Sequence, residues 1–199
     1  MSYKEIKIDT PDKKQFKETT SIRFKVDMID FLEDKQLQNC LEIGTNWGFT
    51  TYTLSFLFDK VWTIEKTLSN FQKAQEVCDN RDNIEFINGD AYNKKTFKAI
   101  PKQDCVFIDC VHTFAEVLHD LNTAKDILND KGYIILDDYG HPQTGVYNAV
   151  QHFLKNSEYN IVSEIGEDEG YTFKNNEVSL IRKEGVILSK ETVGLQLEM

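Results

Sequence analysis

The chain has 199 residues, 40% hydrophobic and 28% charged, which is the composition of an ordinary soluble domain large enough to bury a sizeable core. Asp and Glu number 33 against 23 Lys and Arg, and the net charge of −10 argues against a general nucleic-acid or anionic-membrane binder, since phosphate backbones call for a basic footprint. No apolar run approaches the ~20 residues a membrane helix needs, and the Met1–Glu5 start has no apolar signal core. The four cysteines (Cys40, Cys78, Cys105 and Cys110) form no CxxC pair, and Cys40 and Cys105 sit in apolar strand-like runs; a reduced, cytoplasmic chain is expected.

Residues 1–20 are polar and read as a lead-in. Over 21–35 the apolar residues Ile22, Phe24, Val26, Met28, Ile29, Phe31 and Leu32 have helical character. Strands are predicted at 39–44, 60–65, 83–88, 104–109 and 132–138, with helices between them at 48–58, 68–79, 93–99 and 113–130. Alternating strands and helices imply right-handed βαβ units and a parallel sheet. The runs Cys105-Val106-Phe107-Ile108 and Tyr133-Ile134-Ile135-Leu136 are apolar throughout, as expected of strands covered on both faces. A helix follows at 146–154. Strands at 160–165 and 177–182, with a hairpin arm near Tyr171–Phe173, place an antiparallel edge on the sheet, and 184–199 carry no signal and read as a tail. The expected fold is one α/β domain over 1–199: a doubly wound, Rossmann-like, mostly parallel sheet with a C-terminal antiparallel hairpin.

Chemistry is expected at the carboxyl ends of the strands, where open parallel sheets bind ligands. Gly44 and Gly48 flank a strand-to-helix turn, and Glu65 ends the next strand 21 residues beyond Gly44, the place of an acid that accepts from ribose hydroxyls. The spacing is not the dinucleotide GxGxxG, and the same residues also fit a purely structural turn with a surface glutamate. Glu42, on an otherwise apolar strand, is costly to bury without a partner, and a cationic ligand group would supply one.

These stretches resemble class I S-adenosylmethionine-dependent methyltransferases. Leu41-Glu42-Ile43-Gly44 to Gly48-Phe49-Thr50-Thr51 looks like their first motif, Trp62-Thr63-Ile64-Glu65 the second, and Ile87-Asn88-Gly89-Asp90-Ala91 the third, the whole likeness spanning roughly 35–155. The resemblance implies that Gly44, Thr45 and Thr50 lie near the methionine part of the cofactor, that Glu65 holds the ribose, that Asp90 and Ala91 flank the base, and that Glu42, Gly48 and Asp109 also belong to the cofactor site.

Asp109, Asp137 and Asp138 fall at the ends of two strands that should be neighbours. Without a cation three such carboxylates repel, and an oxygen-rich set suits Mg²⁺ or another divalent ion; an isolated Asp-Asp pair would read as a cap of the segment that follows, and the addition of Asp109 favours the metal. Phe107-Ile108-Asp109 with His112-Thr113-Phe114, then Leu136-Asp137-Asp138-Tyr139 and Gly145-Val146, looks like metal-dependent small-molecule O-methyltransferases of the catechol, caffeoyl-coenzyme A and macrolide or aminocoumarin sugar types. That likeness implies a metal on the three aspartates, an acceptor with chelating hydroxyls, and assembly through the N-terminal helix in some relatives. His112 stands where catechol-type enzymes carry a lysine base; it is either the base or a helix-start histidine bonded to Asp109 or Glu116, and a metal-bound aspartate is a competing proton acceptor. The chain departs from these relatives in reading Cys110-Val111 between Asp109 and His112, which bears on the substrate face.

Overall fold

The computed structural model describes residues 19–142, 145–172 and 178–190. Helix α1 (Ile22–Leu32) leads into β1 (Asn39–Ile43), α2 (Phe49–Leu54), β2 (Lys60–Glu65), α3 (Leu68–Val77), β3 (Ile84–Asn88), β4 (Gln103–Ile108), α4 (Phe114–Ile127), β5 (Leu128–Leu136), α5 (Val146–Lys155), β6 (Asn160–Thr172) and β7 (Val178–Ser189). The seven strands form one sheet in the order β3-β2-β1-β4-β5-β7-β6. Pairing is parallel from β3 to β5 and antiparallel for β5·β7 and β7·β6. The mostly parallel sheet with its antiparallel C-terminal hairpin is thus the fold that the alternation of strand and helix signals implies.

Side chains alternate across each strand, so the sheet divides the core in two. On one face Leu41, Ile43, Val106, Ile108, Ile134 and Leu136 pack with Val117 and Leu121 of α4 and Ala149, Val150 and Phe153 of α5. On the other, Cys40, Val61, Cys105, Phe107 and Ile135 meet Phe24, Met28 and Leu32 of α1 and Leu54 of α2. Ser21 caps α1, its hydroxyl accepting from the Phe24 amide (3.0 Å), and Thr113 caps α4, accepting from the Glu116 amide (3.4 Å) while donating to the Glu116 carboxylate (2.7 Å).

Four expectations are corrected. Residues 93–99 are not helical but run as turns closed by Asn93 N–Asp90 O (2.9 Å), Thr96 N–Asn93 O (2.8 Å) and Ile100 N–Phe97 O (3.1 Å). Asp90 and Asn93 accept from the amides of Tyr92 and Lys95, a local alternative that competes with a helical ladder. Helix α4 stops at Ile127 rather than 130, because Leu128 is extended and pairs with Gln103 of β4. Residues 184–189, read as tail, lie in β7 between β5 and β6, with Val186, Ile187 and Leu188 fully buried. At the other terminus Thr19 and Thr20, assigned to the polar lead-in, are buried. The turn expected near 173–177, residues 1–18 and residues 191–199 lie outside the described residues.

Candidate active site

The strand order reverses between β1 and β4, and at such a switch point the connections leave to opposite sides and open a crevice at the carboxyl ends. The hydrogen bonding continues past the strands: Gly44 N and Thr45 N both donate to Ile64 O (3.1 and 3.3 Å), Asp109 N to Ile43 O (3.0 Å), and Asp137 N to Ile108 O (3.2 Å). The ends of β1, β2, β4 and β5 therefore bring Gly44, Glu65, Asp109 and Asp137 to one rim.

Gly44 has φ +100, and a Cβ there would stand 1.9 Å from the Asp109 carbonyl oxygen. Gly48 has φ +82 and faces Ala74 of α3, whose Cβ would lie 3.0 Å from the added one. Both glycines permit close approach of the protein's own backbone elements, and Gly44 in particular lets the two strand ends meet.

The crevice holds two adjoining cavities that share Gly44, Glu65 and Cys110. The larger, about 410 Å³, is also lined by Thr19, Asn46, Asn70, Asp109, His112, Asp137 and Asp138. The smaller, about 240 Å³, is lined by Ile64, Lys66, Gly89, Asp90, Ala91, Tyr92, Val111 and others. Glu65 thus stands where the two meet. Its Oε2 accepts from Asn46 N (2.9 Å) and its Oε1 from Thr67 N (2.7 Å); an ionised carboxylate has about four acceptor sites, so acceptor capacity remains for hydroxyls. Asp90 pairs with Lys66 at 2.8 Å, which holds its carboxyl below the ordinary carboxylate value.

In the larger cavity the donor atoms of Asp109, His112 and Asp138 all lie within 4.8 Å of one another. His112 bridges the two acids, Nε2 at 3.2 Å from Asp109 Oδ1 and Nδ1 at 3.2 Å from Asp138 Oδ2. A carboxylate only accepts, so both contacts are hydrogen bonds only when the ring carries two protons. Of the two partners considered for His112, Asp109 is the one met, since Glu116 is engaged by the Thr113 cap. Asp137 lines the same cavity but lies outside the converging set of three. Asp138 holds φ +56, a left-handed conformation that aspartate tolerates better than most residues and that clusters at functional sites.

Glu42 goes elsewhere. It lies on the α2 side of β1, fully buried, and its Oε2 accepts from Thr51 of α2 and from Thr63 of β2 (2.5 Å). It lines neither cavity, nor do Thr45, Gly48 or Thr50, which sit in or just after the turn below. Burial pushes the Glu42 carboxyl up from 4.5 to about 8. The native state therefore keeps a proton that the unfolded chain releases, and stability falls as pH rises from about 4.5 to about 8, by at most about 1.4 kcal/mol per pH unit. Glu42→Gln, which stays neutral and keeps an accepting oxygen, is expected to unfold in urea at a higher midpoint than wild type at pH 8 and with a smaller advantage at pH 5. An advantage that is equal at both pH values contradicts the buried neutral carboxyl.

Sequence patterns missed Thr19, Asn46 and Asn70 as lining residues. Asn46 is the one with a local signal, an asparagine inside a glycine turn, where it adopts φ +48; its Oδ1 accepts from Asn70 Nδ2 (3.2 Å). Cys110 is partly buried, and that burial pushes its thiol up to about 11. His119 stacks on Tyr92 (ring centroids 4.5 Å apart) and His152 meets Phe114 edge-on, both as packing residues.

Residues 41–139, from β1 to just past β5, match the family model of a methyltransferase domain. The chain belongs to the S-adenosylmethionine-dependent methyltransferases. This methyltransferase has the fold of solved relatives of low identity. One is the O-methyltransferase TomG from Streptomyces achromogenes, involved in tomaymycin synthesis and solved with SAM: 15% identity, 94% of this chain and 87% of that one, TM-score 0.66. Another is an O-methyltransferase from Bacillus cereus in complex with SAH: 16% identity, 83% and 77%, TM-score 0.61. A third is the tRNA (m1A58) methyltransferase TrmI from Aquifex aeolicus: 18% identity, 94% and 75%, TM-score 0.61. No curated protein matches the methyltransferase sequence. Among its described residues no helix is long and apolar enough to cross a membrane.

Proposed function

We propose that this methyltransferase transfers the methyl group of S-adenosylmethionine to a hydroxyl of a small molecule bearing two adjacent oxygens, with help from a divalent cation such as Mg²⁺. The observation that carries the reading is the convergence of Asp109, His112 and Asp138 in a cavity that adjoins the one beside Glu65, Asp90 and Ala91. The carboxylates of Asp109 and Asp138, with Asp137 on the same wall, would hold such a cation, which leaves His112 beside them to the acid–base chemistry. When bound the cation would lower the pKa of the acceptor hydroxyl and orient the acceptor.

The protein's own residues divide the remaining work. Glu65 accepts from the cofactor's ribose, and Asp90 and Ala91 border its base. The acceptor oxygen loses its proton and forms the new O–C bond as the S–C bond of the sulfonium breaks. His112, in its neutral form, can take that proton, and the flanking carboxylates then hold the charged ring by both nitrogens. In-line positioning of two reactants can lower a barrier by ~7–11 kcal/mol, so the shared rim of the two cavities is itself a large part of the catalysis. A polyanionic acceptor fits poorly with a net charge of −10 and four carboxylates on the larger cavity.

The test is methyl transfer to catechol and to a vicinal sugar diol, each beside its monohydroxyl counterpart and a tRNA transcript. At least one diol is expected to react tenfold or more faster than its monohydroxyl partner, with tRNA unmethylated. Equal rates on diol and monohydroxyl, or methylation of tRNA alone, contradict the proposal and favour a metal-independent methyltransferase. Cofactor binding without transfer to any acceptor favours a non-catalytic binding protein.

A further inference from the structure

The turn from Gly44 to Gly48 contains three residues at positive φ, Gly44, Asn46 and Gly48, and a segment so contorted needs outside support to keep one conformation. Its backbone is held from β2, by Ile64 O and the Glu65 carboxylate. Beneath it lies a second set of bonds that the proposed chemistry does not use. Thr45 Oγ1 and Thr63 Oγ1 are 2.5 Å apart, Thr63 Oγ1 donates to Glu42 Oε2 at 2.5 Å, and Thr51 Oγ1 donates to the same oxygen. All four side chains are at most 4% exposed. Because a hydroxyl has one proton and that of Thr63 goes to Glu42, Thr45 is the donor in the Thr45–Thr63 bond. Thr45 opens the turn and Thr51 lies in the helix that follows it, so one carboxyl oxygen of Glu42 ties down both flanks. The other oxygen, Oε1, is buried with no hydrogen-bond partner among the described residues, a costly arrangement on a strand that could carry a valine.

We infer that Glu42 is a positioning residue which, through Thr63 and Thr51, clamps the cofactor turn from below and never touches the cofactor. Direct contact with a cationic ligand group, the partner its sequence suggests, is replaced by contact with two threonine hydroxyls. The inference rests on the proposed seat of the cofactor beside Gly44 and Glu65.

Thr63 is the link to cut, because Thr63→Val keeps its β-branched shape and removes only the hydroxyl, while Thr63→Ser keeps the hydroxyl. Calorimetric titration of S-adenosylmethionine into each purified variant separates affinity from active fraction. Thr63→Val is expected to raise the dissociation constant at least fivefold at unchanged stoichiometry, with kcat within twofold of wild type at saturating cofactor. Thr63→Ser is expected to stay within twofold in both, and Thr51→Val to weaken binding in the same sense as Thr63→Val. A Thr63→Val protein that binds like wild type overturns the clamp, as does a lower stoichiometry with unchanged affinity, or a Thr63→Ser as weak as the valine variant. Glu65→Gln, measured alongside, reports on the seat itself. Weaker binding there with Thr63→Val unaffected sinks the clamp alone, whereas no change in Glu65→Gln removes the seat and the clamp with it.

Discussion

Asp109→Asn is expected to lower metal-stimulated kcat/KM by at least about 100-fold, some 2.7 kcal/mol of transition-state stabilisation at 1.36 kcal/mol per decade. The substitution keeps size and shape and leaves the Asp109 N–Ile43 O bond in place, so the end of β4 does not move. What goes is one of the two charges facing His112 and one oxygen of the converging set. Neutralising a charged acceptor in a site built around charge costs far more than losing an exposed ion pair does, because its partners are left facing an amide that cannot neutralise them. Cofactor affinity is expected to remain within about threefold, since Glu65, Asp90 and Ala91 are untouched. The check is steady-state kinetics over a Mg²⁺ series together with cofactor titration. A variant with the metal dependence of wild type contradicts the role given to Asp109.

The second large effect is expected at Gly44. An alanine there meets two obstacles at once: φ +100, which an L side chain rarely adopts, and a backbone oxygen 1.9 Å from the new carbon. Backbone strain of this kind costs about 1–3 kcal/mol and overpacking typically about 1–3 more, so Gly44→Ala is expected to lose about 2–6 kcal/mol, a large part of the stability of a domain this size. The obstructing atom belongs to Asp109 itself, so any protein that still folds must separate β1 from β4 at the active-site rim and is expected to bind S-adenosylmethionine weakly. Gly48→Ala offers the comparison: its new carbon comes no closer than 3.0 Å to Ala74, whose methyl lies at 3.0 Å and carbonyl oxygen at 3.3 Å, against 1.9 Å at Gly44. Urea unfolding of the two is expected to rank Gly44→Ala as clearly the worse. The reverse order contradicts the close approach of the strand ends.

The parts of this site that follow local rules were legible in the sequence. Largely apolar runs marked β1, β2, β4 and β5, the first passing into Gly44 and the others into Glu65, Asp109 and Asp137-Asp138, and the spacing from Gly44 to Glu65 placed both on one rim. What could not be read was decided by distant partners. Glu184 reads as the start of a tail because 184–199 carry no clear periodic signal. In the fold it is fully buried and accepts from the backbone amide of Ser21, 163 residues away, and from that of Glu167, which allows the Val186–Leu188 run beyond it to enter the sheet. Glu42 was rightly singled out as a buried acid in need of a partner, but sequence spacing cannot say that Thr51 and Thr63 fill that need, since they come from two other elements. Asn70 reaches the cavity from the first turn of α3 and carries no local signal at all.

The central claim is that a divalent cation held by Asp109 and Asp138, beside His112, assists methyl transfer, and the most direct measurement is the initial rate on a reactive diol before chelation, after it, and after Mg²⁺ is added back. Chelator is expected to lower the rate at least tenfold, and Mg²⁺ to restore it. A rate indifferent to both would contradict the claim, leaving the acidic cluster without the role proposed for it.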